Sequence, residues 1–147
     1  MPAEYSFGTT QTVAQAANVL FNNGSRACRK GYVQHRDDSG IFTLRGVTNQ
    51  CKAVYRVQFN ANIAIADGGT DGGTVEPISV ALTIKGEPLS NATATVTPAA
   101  IGDFFNVSVA TFIDVPCGCC LSIAVRNVSA TTAIDVTNAN LIIDRVC

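Results

Sequence analysis

Charged residues are scarce in this sequence: Asp, Glu, Lys and Arg make up 14% of its 147 residues, against about a quarter in ordinary soluble domains. The 10 basic and 11 acidic residues nearly cancel, which leaves a formal net charge of -1. Binding of nucleic acid through bulk charge needs a clustered basic surface, so we expect no nucleic-acid partner. Because 47% of the residues are hydrophobic, we expect the chain to cover part of its surface with a partner protein.

Long apolar runs are also missing. No run approaches the roughly 20 apolar residues that a membrane-spanning helix needs, so no membrane partner is expected. The opening segment, MPAEYSFGTTQ, has neither the basic stretch nor the apolar core of a signal peptide. A length of 147 residues suits one compact domain. We therefore expect a single domain that is not exported.

Familiar catalytic motifs are absent from the sequence, which has no Gly-x-Ser-x-Gly elbow, P-loop or dinucleotide fingerprint. The single histidine, His35, is followed by Arg36, Asp37 and Asp38. A histidine close to carboxylates can take part in acid–base catalysis. In a turn before Ser39 and Gly40, however, such neighbours splay apart, which favours a solvated turn. We predict a protein that is not an enzyme and has no cofactor.

Six cysteines are many for such a chain: Cys28, Cys51, Cys117, Cys119, Cys120 and Cys147. The cluster at 117–120 could supply thiolates to zinc with Cys51 or Cys147, but it lacks the paired Cys-x₂₋₄-Cys spacing of structural zinc sites. Inward-facing thiols at Cys51 and Cys119, or thiols at strand ends, are favoured over disulfides and over a metal site. In an oxidising environment Cys28 and Cys147 could pair.

Alternation of apolar and polar residues dominates the middle and end of the sequence. From Cys51 to Ile65 the odd positions are apolar and the even positions mostly polar, as in a strand with one face in a core. The run from Leu141 to Val146 is apolar on both faces, which is typical of a central strand or one covered by another subunit. We predict an all-β fold of about ten strands, a jelly-roll β-sandwich over residues 17–147, after a short extended N-terminal arm at residues 1–16.

Phe112 falls on a strand face that this alternation assigns to the outside, and Phe104 and Phe105 lie close to it in the sequence. Exposed aromatic side chains are a normal component of subunit interfaces. Alternatively, these phenylalanines plug the ends of the barrel. The overall shortage of charge favours a homo-oligomer.

Five segments, in their order along the chain, carry a resemblance to a known family: YRVQFNA (55–61), ISVALTIKGEPL (78–89), VATFIDVPCG (109–118), LSIAVRN (121–127) and ANLIIDRV (139–146). Over about residues 17–146 this succession resembles the C1q/TNF-like jelly roll in its bacterial and phage versions. The stretch HRDDSGIFTLRG (35–46) is similar to small head proteins of tailed phages that infect Gram-positive gut bacteria.

The resemblance implies a homotrimer packed around a threefold axis, with an interface formed by Tyr55, Phe59, Phe112, Leu141 and Ile143. It also implies a structural virion protein that decorates the outer capsid surface, with the major capsid protein as partner. Other members carry a collagen-like stalk, which this chain lacks, so attachment would fall to the N-terminal arm through Tyr5, Phe7 and Val13. The alternative is a trimeric receptor- or glycan-binding head of a fibre, spore coat or cell surface, with a host glycan bound at the glycine-rich loop 67–76.

Overall fold

The computed structural model describes residues 3–26, 32–35, 39–66, 77–100, 102–129 and 133–146. These residues form eleven strands: β1 (Ala3–Phe7), β2 (Gln11–Val13), β3 (Asn23–Arg26), β4 (Val33–His35), β5 (Ile41–Arg45), β6 (Lys52–Ile65), β7 (Ile78–Ile84), β8 (Glu87–Val96), β9 (Phe105–Pro116), β10 (Cys120–Asn127) and β11 (Ile134–Arg145). The described part of the chain has no α-helix, and hence none long and apolar enough to cross a membrane.

The strands form two antiparallel sheets. The first has the order β3-β1-β11-β6-β9, with β2 also paired to β11, and the second has the order β4-β5-β10-β7-β8. Strand β11 lies inside the first sheet, between β6 on one side and β1 and β2 on the other. The central position expected for the last apolar run is therefore confirmed, with Leu141 and Ile143 buried and Ile142 on the half-buried outer face.

The hydrophobic core lies between the two sheets, as the alternation requires. In β6 the odd-numbered side chains from Ala53 to Ile65 are buried, whereas Lys52 and Arg56 on the other face are exposed. Phe42 of the second sheet and Phe59 of the first are fully buried. Phe21 contacts both rings edge-on, with centroids 5.4 and 6.3 Å away. Burying each large side chain of this kind contributes about 1.5–3 kcal/mol.

The segment predicted as a free N-terminal arm is extended, but it is part of the first sheet. Tyr5 pairs with Leu141, and Val13 pairs with Ile134. The Tyr5 and Val13 side chains are only 4% and 3% exposed, and Phe7 packs, partly buried, against the core. Tyr5 and Val13 are therefore not available as capsid contacts. The cause is the alternation in AEYSF, which puts its apolar residues on one face.

Between β2 and β3 the chain crosses from the first sheet to the second and returns, since β3 pairs with β1 of the first sheet. Asn18 forms a bridge to Arg126 of β10, and the Val19 N–H donates to the Val125 carbonyl at 2.8 Å. Gly40 permits this approach, since a Cβ there would lie 2.7 Å from both the Asn18 Cβ and the Val19 carbonyl oxygen. The crossing brings Asn18 next to Arg126 on the second sheet.

Candidate functional site

The outer face of the first sheet combines uncharged polar side chains with six charged ones among the described residues: Glu4, Lys52, Arg56, Asp114, Asp135 and Asp144. Cross-strand pairing aligns its side chains in rows, for example Asn140 opposite Asn60, and Asn60 opposite Ser108. We call its uncharged polar residues the amide face: Ser6, Gln58, Asn60, Asn62, Asn106, Ser108 and Asn140. Asn106 Nδ2 donates to Asn62 Oδ1 at 3.2 Å. Groups of this kind give up water at a lower cost than charges do.

Phe112 stands on the same surface, beside the amide face. It lies on β9 opposite Arg56 of β6, and 65% of the residue is exposed, so its predicted outward position is confirmed. Phe105 does not extend this patch, because it pairs with the inward-facing Ile63 near the other end of β9. Among the described residues, Phe112 is therefore the one exposed aromatic side chain on this face.

The charges around Phe112 are already paired within the chain. Lys52 Nζ lies 2.8 Å from Asp114 Oδ2, and Arg56 Nη2 lies 3.5 Å from Asp144 Oδ2. Exposed pairs of this kind contribute at most about 1 kcal/mol to stability. Their importance here is that another subunit could cover Phe112 without leaving an uncompensated charge in the interface.

Strand β9 pairs only with β6 within the described residues, so its other edge has no ladder partner there, although β8 of the second sheet packs near it. It is 12 residues long, and Asp114 is its only charged residue. Natural edge strands are usually protected by short length, by lysine or by proline. Apart from its terminal Pro116, β9 has none of these protections, so this edge is suited to being covered by another chain.

Four of the five residues predicted for the trimer interface are inside the chain instead. Tyr55, Phe59, Leu141 and Ile143 are all 0% exposed, because they lie on the inner face of the first sheet and pack against the second. Their assignment to a contact between subunits is therefore wrong. The alternation shows which residues share a face, but not whether that face meets the second sheet or another subunit.

Tyr55 has a structural role that can be tested. Its buried hydroxyl lies 2.6 Å from the Arg45 carbonyl oxygen and 3.3 Å from that of Tyr32. We expect Tyr55→Phe to lower the free energy of unfolding by about 1–2 kcal/mol, since it leaves the Arg45 carbonyl without this donor, and to leave the solution mass unchanged. Urea unfolding measures the first quantity and light scattering the second.

The matched control is Tyr32→Phe, whose own hydroxyl has no hydrogen bond among the described residues and which should change the unfolding free energy by less than about 0.5 kcal/mol. Equal losses in the two variants would contradict this role for Tyr55.

His35 lies at the end of β4. The prediction that it lies in a solvated turn is therefore wrong. Its ring stacks on Phe42 with a centroid distance of 4.3 Å and an interplanar angle of 13°. Its Nε2 atom lies 2.9 Å from the Ser39 carbonyl oxygen. The imidazole therefore packs against the edge of the core. The neighbouring residues 36–38, its possible acid–base partners, lie outside the described residues.

The four described cysteines gather at one end of the sandwich, and Cys51, Cys117, Cys119 and Cys120 are all exposed. The Cys117 N–H donates to the Cys51 carbonyl at 3.0 Å. The prediction of strand-end thiols is confirmed, whereas the inward placement of Cys51 and Cys119 is wrong, because both lie just outside the strands. No group of three potential metal ligands occurs in the described ranges. Cys28, Cys147 and the loop 67–76 lie outside them.

Comparison with known proteins identifies the fold. No protein-family model matches the sequence, and no curated protein matches it. The globular domain of zebrafish complement 1qA is similar in structure, with a TM-score of 0.59 and 11% identity over 99% of this chain and 94% of that one. Murine APRIL, crystallised at pH 5.0, has a TM-score of 0.58 and 8% identity, covering 99% and 100% of the two chains. The chain therefore has the C1q/TNF-like jelly-roll fold that its sequence led us to expect.

Proposed function

We propose that three copies of this chain assemble through the outer face of the first sheet and the open edge of β9. The trimer acts as a non-enzymatic structural protein that decorates the outer surface of a phage capsid. The observation that carries the proposal is Phe112, which is 65% exposed on a face whose neighbouring charges are already paired.

Three features of the outer face favour self-association. Burying Phe112 removes a large apolar side chain from water, the amide face carries no charge to desolvate, and the β9 edge offers unpaired backbone groups. Interfaces between subunits are depleted of charge and enriched in aromatic residues at their centre. The C1q/TNF-like fold, with the trimer that the sequence resemblance implies, supports three copies rather than two.

The capsid role is supported by the resemblance of residues 35–46 to small phage head proteins. Because Tyr5 and Val13 are buried in the first sheet, the major capsid protein would have to bind a surface other than a free arm. The outer face of the second sheet remains accessible when the first sheet forms the trimer, since the two outer faces lie on opposite sides of the sandwich.

Light scattering during size-exclusion chromatography tests the assembly. We expect a solution mass about three times the 15.4 kDa of one chain. A mass equal to one chain at high protein concentration would overturn the trimer, because the fraction of assembled chains rises with protein concentration.

Cryo-electron microscopy of phage particles tests the location. Particles assembled with this chain should carry threefold-symmetric density on the outer shell, and particles assembled without it should lack that density. Identical maps would exclude the capsid role while leaving the trimer intact.

The alternative function, a trimeric receptor- or glycan-binding head, has one structural observation in its favour. The second sheet carries a pocket on its outer face, where a trimer built on the first sheet leaves it open. Binding of intact host cells or cell-wall fragments by the trimer, together with particle maps that lack the shell density, would favour this function over capsid decoration.

A further inference from the structure

A pocket of about 290 Å³ lies on the outer face of the second sheet. Its lining includes Asn18 from the crossing segment, Ile41 of β5, Thr83 of β7, Lys85 of the β7–β8 turn, and Ser122 and Arg126 of β10. This volume is at the small end of the range for ligand pockets, about 300–1,000 Å³. The pocket is suited to a single small ligand or to one unit of a longer one.

Two lining residues carry buried polar atoms that the protein does not satisfy. Asn18 Oδ1 and Arg126 Nε are both inaccessible to solvent and have no hydrogen-bond partner among the described residues. Such atoms are rare in folded proteins and costly, so each calls for a specific explanation. Both residues line the pocket, where the exposed side chains of Ser122 and Ile41 are groups that a ligand can reach.

The pocket also carries an excess of positive charge. Neither Lys85 nor Arg126 has an ion pair within the described part of the chain, and the lining contains no acidic residue. Arg126 Nη1 donates to the Gly86 carbonyl at 2.8 Å, which fixes the guanidinium beside the turn. A guanidinium with a free donor is well matched to a carboxylate.

The turn that carries Lys85 joins β7 to β8 through two residues with positive φ, as in a type I′ hairpin turn. Lys85 has φ of +53° and Gly86 has φ of +85°, and the Lys85 N–H donates to the Ser122 carbonyl at 2.8 Å. A left-handed lysine costs more than glycine or asparagine at the same position. The turn places the lysine at the pocket.

We propose that this pocket binds a carboxylate-bearing sugar residue. The carboxylate is held by Arg126 and Lys85, a hydroxyl of the sugar bonds to the exposed Ser122 side chain, and the C–H face of the ring packs on Ile41, which is 51% exposed. The site does not depend on the capsid role, and it lies on the sheet opposite Phe112. The two proposals can fail separately. A trimer that does not bind the sugar would overturn only the site, and a single chain that binds it would overturn only the trimer.

Titration of the full-length ¹⁵N-labelled protein with glucuronate tests the site. We expect shifts of the backbone amide signals of Lys85, Gly86, Ser122 and Arg126, weakened by added salt. Neutral glucose should cause no such shifts, since it lacks the carboxylate. Acetate should bind more weakly than glucuronate, because it lacks the hydroxyls and the ring. Equal binding of acetate and glucuronate would overturn the assignment to a sugar.

Two substitutions distinguish a built site from general attraction of anions. Lys85→Asn removes one cation and suits the left-handed conformation, so the protein should remain folded while glucuronate binds about tenfold more weakly. The control Arg45→Asn removes a cation of the second sheet outside the pocket lining and should leave affinity unchanged. Equal weakening by both variants, or glucuronate shifts confined to other residues, would overturn the proposal.

Discussion

Replacing Phe112 with lysine is expected to convert the proposed trimer into single chains. The substitution removes an aromatic side chain that is 65% exposed in one chain and that the proposed interface buries, at a cost of about 1.5–3 kcal/mol for each copy. It also adds a cation without a partner, because Arg56 and Lys52 already use Asp144 and Asp114. Lysine is, in addition, the residue that natural edge strands use against association.

Light scattering and sedimentation equilibrium measure the effect of Phe112→Lys. The unfolding free energy of the separated chain should stay within about 0.5 kcal/mol of the parent, since exposed substitutions rarely cost more. The matched control is Phe104→Lys, because Phe104 is 45% exposed and lies just before the first residue of β9, at the end of the strand away from Phe112. A parental mass for Phe112→Lys, or equal dissociation of both variants, would contradict the assembly surface.

Replacing Gly46 with alanine is expected to destabilise the fold itself. The Gly46 N–H donates to the Cys119 carbonyl at 2.8 Å, and its carbonyl accepts from the Gly118 N–H at 3.0 Å. An added Cβ would collide with the Pro116 carbonyl oxygen and lie 2.9 Å from its carbon. Because the obstacle is backbone, we expect a loss of about 3 kcal/mol, near the upper end of the range for overpacking.

Gly8→Ala is the control for Gly46→Ala, since a Cβ at Gly8 would meet no atom within 4 Å. Thermal and urea unfolding should show a large loss for Gly46→Ala and a change below about 1 kcal/mol for Gly8→Ala. If Gly46→Ala is too unstable to purify, its soluble yield beside that of Gly8→Ala gives the same comparison. Equal stability of the two variants would contradict this prediction and would show that the Pro116 backbone can move away from Gly46.

The sequence was informative wherever a residue's role depends on its immediate neighbours. The alternation in β6 correctly separated Tyr55 and Phe59 from Arg56 and Gln58, and it placed Phe112 outside. It was misleading about what covers each face, because Tyr55 and Phe59 meet the second sheet rather than another subunit. His35 was misplaced for a similar reason, since its stacking partner Phe42 lies on a neighbouring strand.

The N-terminal segment shows the same limit. Residues 3–7 are too short to predict as a strand of the domain from their own pattern. They become one because β11, at the other end of the chain, supplies the hydrogen bonds, with Tyr5 opposite Leu141. The pocket on the second sheet left no signal either, because Asn18 and Arg126 are distant in sequence and meet only where the chain crosses between sheets.

The sequence alone determines an all-β sandwich, the inward and outward faces of its long strands and the outward position of Phe112. These follow from the period of two along an extended backbone, which sets side-chain direction locally. Only the tertiary structure decided which face became core, that the N-terminal segment joined the first sheet, and that Asn18, Lys85 and Arg126 line one pocket. Each of these depends on which distant strands pair, and side-chain direction along a single strand does not specify its partners.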